Sequence, residues 1–305
     1  TISREKYPFY PCSSNIHIIN ALKWLYHSNQ LVGGKGFPSK FSFGALYGLG
    51  PSYPETTGYT ICTLLTIIRN EPFGTFDNSI LHRMIENSYD YLTTTQLQNG
   101  SFTAGHEKLD NYGKPSIFNT GQILLGLSDL YETAELDKLD RFSYVNLTKL
   151  RKKIEDASNF LVNQITSDGS FDPRHSYTKK KRAYYARATY GLLRAGVVLN
   201  NQKFIDNALK NFLWVSSLSE KNGLIKSWGF ENNWSVLHTI SYTFRGLIEA
   251  YNYFNNSEFL DNTVRGIDFL IENTSSDFKY KGLIPSYFDN FGSHNNELCI
   301  TGLSQ

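Results

Sequence analysis

The chain has 305 residues, with 30 Lys and Arg against 28 Asp and Glu and a formal net charge of +2. That near-balance excludes a general polyanion binder, because phosphate-backbone contact needs a concentrated basic surface, so no nucleic-acid partner is expected. Cys12, Cys62 and Cys299 are too few for a disulfide framework, no apolar run is long enough to span a bilayer, and a cytoplasmic protein is expected.

In chain order, the polar opening Thr1-Ile2-Ser3-Arg4-Glu5-Lys6 lacks a secretory leader pattern. After it, one pattern recurs: a helical stretch carrying an aromatic residue, then a turn containing glycine. Trp24 precedes Gly33 by nine positions, Tyr91 precedes Gly100 by nine, Phe160 precedes Gly169 by nine, and Trp214 precedes Gly223 by nine. In the last copy Phe269 precedes Gly282 by thirteen. Asn99-Gly100 and Asp168-Gly169 are turn signals, and glycine past a helix end supplies the left-handed cap.

Each turn leads to a second helix of different character. These are expected from about Thr57 to Ile68, Asn119 to Tyr131, Tyr184 to Val198 and Val236 to Tyr253, with a fifth starting near Cys299. The run Gly121-Gln122-Ile123-Leu124-Leu125-Gly126-Leu127 is small and apolar on nearly all sides, as in a buried helix. The first-set helices are amphipathic: Ile154, Ala157, Phe160 and Leu161 share one face, with Lys152, Lys153, Glu155 and Asp156 turned outward. Amphipathic helices alternating with buried ones predict an all-α fold, an α/α toroid of five to six hairpins with inner and outer rings. No β-rich segment and no composition break is seen, so residues 1–305 read as one domain. Cys299 to Gln305 reads as a helix cut short in its first turn, as in a fragment.

The connections from outer to inner helices are long, share one rim and carry polar and aromatic residues, the usual place for function. Aromatics are 15% of the chain, with 20 Tyr and 21 Phe, a composition suited to cores and to sites that stack on sugars. The basic run Lys179, Lys180, Lys181 and Arg182 is expected as a solvated loop. The remaining contents (His106 and Glu107, His175 and Tyr177, Trp228 and Glu231, Tyr287 and His294) mix acids, histidines and aromatics as a sugar cup does.

Glu55, just before a buried helix, reads either as a helix-capping acid or as a general acid or base. Asp289 is the natural second carboxylate for glycoside chemistry, with Asp172 in reserve. His238 and Tyr242, at i and i+4 on one inner helix, read as a hydrogen-bonded core pair or as a proton-transfer pair of the kind a lyase or epimerase uses. Tyr53, Tyr59, Asn119, Tyr185, Arg187, Trp234 and Arg245 are the candidate substrate contacts. Arg187 and Arg245 need partners in an apolar ring and are expected to pair with Glu55 or Asp289, or to bind a substrate carboxylate. Glu297-x-Cys299 offers two zinc ligands, with His238 or His294 needed as a third; no metal and no cofactor is assigned. No P-loop, GxGxxG or Gly-x-Ser-x-Gly motif occurs.

Four landmarks carry a resemblance: Pro51-Ser52-Tyr53-Pro54-Glu55-Thr56-Thr57-Gly58-Tyr59, Phe118-Asn119-Thr120-Gly121-Gln122, His238-Thr239-Ile240-Ser241-Tyr242-Thr243-Phe244-Arg245-Gly246-Leu247 and Cys299-Ile300-Thr301-Gly302. Their order resembles bacterial proteins related to the prenyltransferase and squalene-cyclase repeat superfamily, encoded with polysaccharide biosynthesis genes. The resemblance implies a toroid and a role in exopolysaccharide or surface-glycan production, with a saccharide substrate and biosynthetic-complex partners. The Asp-x-Asp-Asp acid of class II terpene cyclases is absent, and Glu297-x-Cys299 only echoes the Asp-x-Cys of zinc prenyltransferases. At the level of fold the chain also resembles six-hairpin glycosidases, uronate lyases and sugar epimerases. The expectation is a saccharide-active enzyme of hydrolase, lyase or epimerase type. The alternatives are a non-catalytic glycan- or partner-binding toroid and, more distantly, a zinc-dependent transferase.

Overall fold

The computed structural model describes residues 14–41, 48–70, 76–106, 112–231, 234–289, 292–293 and 296–305. Cys12, Glu107 and His294 lie outside the described residues. The outer helices are α1 (Ser14–Leu31), α3 (Asn78–Thr95), α5 (Leu147–Gln164), α7 (Gln202–Ser216) and α9 (Ser257–Glu272). The inner ones are α2 (Pro54–Asn70), α4 (Ile117–Leu136), α6 (Ala186–Val198), α8 (Leu237–Phe254) and the short α10 (Ile300–Ser304). Successive inner helices pack on one another from α2 through α10, and α2, α4, α6 and α8 each pack on the outer helix that follows. The chain is an α/α toroid, as its alternation of buried and amphipathic helices predicts.

The glycine turns repeat atom for atom. Leu97 N donates to Ser101 O at 2.8 Å, Thr166 N to Ser170 O at 2.8 Å, and Glu220 N to Leu224 O at 2.8 Å. Gly100, Gly169 and Gly223 sit fourth in these five-residue turns with φ of 86°, 90° and 90°. Each also presses on the next outer helix: a Cβ would lie 2.3 Å from Asp156 O, 2.6 Å from Lys210 O and 2.0 Å from Arg265 O. The nine-residue spacing therefore encodes both the end of one outer helix and its contact with the next.

The inner ring is drawn together by residues lacking side-chain bulk. A Cβ on Gly126 would fall 2.0 Å from Gly58 O, joining α2 to α4; one on Gly191 would fall 2.0 Å from Gly121 O, joining α4 to α6. Gly246 abuts Ala186, joining α8 to α6, and Gly302 abuts Leu237, joining α10 to α8. Around these contacts lie fully buried Ile61, Leu64, Ile123, Leu127, Leu192 and Leu247.

The rim differs from expectation in one respect. Short strands stand where none is expected: β1 (Phe102–Thr103) pairs antiparallel with β2 (Pro115–Ser116), and β4 (Tyr287–Asp289) pairs with both β3 (Ser235–Val236) and β5 (Gly292–Ser293). Two- and three-residue strands carry no alternation that a sequence pattern registers. They tie the long connections to the inner-helix starts. Thr57 Oγ1 accepts from Phe37 N, and Thr120 Oγ1 from Phe102 N, each at 2.9 Å, so a threonine in the first turn of α2 and of α4 anchors the rim backbone.

Candidate functional site

The starts of α2, α4 and α8 converge on a cavity of about 730 Å³ at this rim. Glu55 on the first turn of α2, Asn119 on that of α4, and His238 and Tyr242 on α8 line it, with Tyr53 just ahead of α2. The wall is aromatic: Phe118, Tyr177, Tyr184 and Phe230 complete it. Phe118 meets the Tyr242 ring at 5.1 Å and the Tyr184 ring at 5.9 Å. Lys114 and Lys179 supply cationic lining, and Glu231 a second carboxylate.

Burial pushes the Glu55 carboxyl up to about 7, while a hydrogen bond from the Tyr53 hydroxyl pulls the other way. A helix N-terminus stabilises a carboxylate by only about 0.3–1 kcal/mol, so burial outweighs it here. The Tyr53 hydroxyl is placed by Asn119, whose Nδ2 approaches it at 3.5 Å and donates to Thr103 O at 2.9 Å. The edge of His106 stands against the Tyr53 ring at 6.4 Å.

The His238 and Tyr242 rings lie 4.3 Å apart at 55°. Their contact is ring on ring, and each hydrogen-bonds to Gln305. Burial lowers the His238 pKa and raises that of Tyr242, with the Glu55 charge adding to the latter. At neutral pH His238 is therefore uncharged and Tyr242 holds its proton. His238 Nδ1 is buried without a hydrogen-bond partner.

The other predicted residues fall elsewhere. Asp289 and Trp234 line an adjoining cleft of about 290 Å³, so the expected pairing of Glu55 with Asp289 across one cup is replaced by two cavities that share Glu231. The β4 strand turns Asp289 toward this second cleft. Asp172 caps a 3₁₀ turn and pairs with Arg174 at 2.8 Å. Tyr59 lies on α2 below Glu55, where burial first and the Glu55 charge second raise its pKa. Tyr185 is buried beneath the wall, with its hydroxyl accepting from Tyr177 N at 2.9 Å.

Of the two roles expected for the arginines, pairing with Glu55 or Asp289 is not what the structure has. Arg187 Nε donates to Gln122 Oε1 at 3.1 Å, and exposed Arg245 pairs with Glu249 one turn on at 3.0 Å. The basic run is solvated only in part: Lys179, Lys180 and Lys181 are exposed, but Arg182 is 2% exposed and donates to Glu231 O at 3.2 Å. Arg182 immediately precedes the 3₁₀ turn (Ala183–Tyr185) that leads into α6, and this carries it inward.

Cys299 caps α10, its sulfur accepting from Gly302 N at 3.4 Å. Among the described residues no three His, Cys, Asp or Glu side chains gather as metal ligands. Phe118, Phe230 and Lys114 were not legible as site residues. Phe118 stands beside Asn119 at a helix start, and Phe230 beside Glu231, so adjacency to a rim polar residue was the available signal.

Neither a family model nor a curated protein sequence matches the chain. Solved structures do resemble it in fold. A sugar epimerase from a ruminal bacterium superposes with a TM-score of 0.60 at 11% identity, over 81% of this chain and 68% of that one. Cellobiose 2-epimerase from Bacillus thermoamylovorans gives 0.61 at 12%, over 82% and 69%. An unsaturated glucuronyl hydrolase specific for heparin gives 0.58 at 14%, over 90% of this chain and 73% of that one. At these identities the likeness is one of fold. Among the described residues no helix is long and apolar enough to cross a membrane.

Proposed function

We propose that the protein is an enzyme that moves a proton on a saccharide held in the rim cavity, as an epimerase or lyase does. The observation that carries this reading is Glu55, a carboxyl held near neutrality in a cavity that also presents His238 and Tyr242. An acid poised near the working pH serves best as both proton acceptor and donor. Glu55 is the base in this reading, Tyr242 the donor on the opposing helix, and Tyr53 and Asn119 hold Glu55 and the sugar in place.

Two-carboxylate hydrolysis needs a second acid flanking the same bond within about 10 Å; the expected partner, Asp289, lines a different cleft, which leaves Glu231 as the acid such a mechanism would have to use. The binding-only alternative expects the cup acid to be tied to an arginine, whereas Glu55 bonds to Tyr53, and Arg187 and Arg245 bond elsewhere. Zinc-dependent transfer has little support, since Cys299 is engaged as a helix cap. Solved sugar epimerases of the same fold support the substrate class by analogy. A place in exopolysaccharide or surface-glycan production, with partners of that assembly, rests on the four sequence landmarks.

Proton NMR in D₂O with a panel of neutral and uronate-bearing bacterial polysaccharides tests the reading. Loss of a ring-proton signal by exchange, or the growth of alkene signals, supports it. New anomeric signals alone reassign the protein to hydrolysis.

A further inference from the structure

The rim holds two neighbouring cavities, while the proton-transfer reading uses only one. The cup of about 730 Å³ and the cleft of about 290 Å³ meet at Glu231, which lines both. On the cleft side stands Trp234, 42% exposed, at the start of the strand that leads into α8. An exposed indole is usually mobile, but this one is braced: the Tyr287 ring meets it edge-on at 5.4 Å and 65°. Tyr287 is itself set by pairing with Val236 in the β3–β4 ladder. A braced aromatic face loses little freedom when a ligand covers it, which favours binding there. Glu231 and Asp289 beside it offer carboxylate acceptors for hydroxyl groups.

An apolar plate next to hydrogen-bond acceptors fits the two-sided character of a pyranose ring, whose C–H face stacks while its hydroxyl edge bonds. We infer that the substrate is a saccharide chain of at least two units, the reacting unit in the cup and its neighbour stacked on Trp234 across Glu231. The inference rests on the saccharide reading of the cup and adds a second subsite and a polymeric substrate class to it. The cup then supplies chemistry, and the Trp234 cleft supplies affinity and register along the chain.

The test is isothermal titration of the full chain with two length series, glucose to cellotetraose and galacturonate to its tetramer. Wild-type protein is compared with Trp234→Ala and Trp234→Phe. The expected result is at least a tenfold gain in affinity at one added unit in one series. Trp234→Ala loses that gain, Trp234→Phe keeps part of it, and affinity for the single sugar stays the same in all three. Because the side chain is exposed, unchanged thermal unfolding of both variants is expected. A length gain that survives in Trp234→Ala, or a single sugar bound as tightly as its oligomers, overturns the second subsite and leaves the cup reading standing. No binding of any length in either series rejects both.

Discussion

The Tyr242 ring lies 4.3 Å from the His238 ring one helical turn away, tilted by 55°, and both face the cavity that holds Glu55. A buried phenol that keeps its proton beside a neutral imidazole is suited to donate a proton as a carbanion-like centre collapses. Tyr242→Phe removes the donor and keeps the ring that packs on Phe118 at 5.1 Å. Turnover is expected to fall by about 10²-fold or more, with the urea midpoint nearly unchanged. A variant as active as wild type removes Tyr242 from the chemistry.

Glu55 links activity and stability to the same pH window. Its carboxyl is raised from 4.5 to about 7 by burial, so the folded protein holds a proton that the unfolded chain has released. The stability that Glu55 contributes is therefore greatest in acid and declines as pH rises from about 4.5 to about 7. The decline is about 1–3 kcal/mol for a carboxyl that is not wholly removed from water. Glu55→Gln lacks this decline, as urea titrations at pH 5, 6, 7 and 8 will read. Acting as a base, Glu55 works ionised, so the rate rises through pH 7 in wild type.

Glu55 and Asp289 lie in different cavities, and comparing them separates proton transfer from hydrolysis by that pair. Asp289→Asn is expected to leave turnover within about threefold, because the residue lines the neighbouring cleft. Loss as deep as that expected for Glu55→Gln, about 10²–10⁴-fold, would restore a two-acid mechanism. Steady-state kinetics on one saccharide compares the two variants directly.

Two glycines predict different kinds of damage. A methyl at Gly191 meets the Gly121 carbonyl at 2.0 Å, so α4 and α6 must move apart. Gly191→Ala is expected to cost about 3 kcal/mol or more by overpacking, read as a lower urea midpoint. At Gly33 nothing lies within 4 Å, but φ is +68°, so Gly33→Ala costs only the left-handed conformation, about 1–2 kcal/mol.

Much of the fold was legible because its geometry repeats in sequence. The nine-residue interval marks a real turn, since a left-handed residue and contact with the next helix are both required at Gly100, Gly169 and Gly223. Inner helices were recognisable because α4 is buried on nearly every side, from Ile117 to Tyr131. The gathering of Glu55, Asn119, His238 and Tyr242 was legible for a related reason: each sits at or near the start of a helix whose rim position the alternation dictates. Asp289 and Arg245 were harder to place. Asp289 lies in a long connection whose path is set by a three-residue strand pairing with residues some 50 positions earlier. Arg245 lies two turns down α8, where a neighbour on the same helix, Glu249, takes its charge.

If Glu55 moves a proton on a bound saccharide, that proton exchanges with solvent. Solvent deuterium incorporation into that saccharide, followed by proton NMR for wild type and Glu55→Gln at pH 7, addresses it most directly. Incorporation by wild type and none by Glu55→Gln is expected, with both proteins folded and binding the saccharide equally. Equal incorporation by the two proteins would contradict it, as would turnover by wild type that leaves every carbon-bound proton in place.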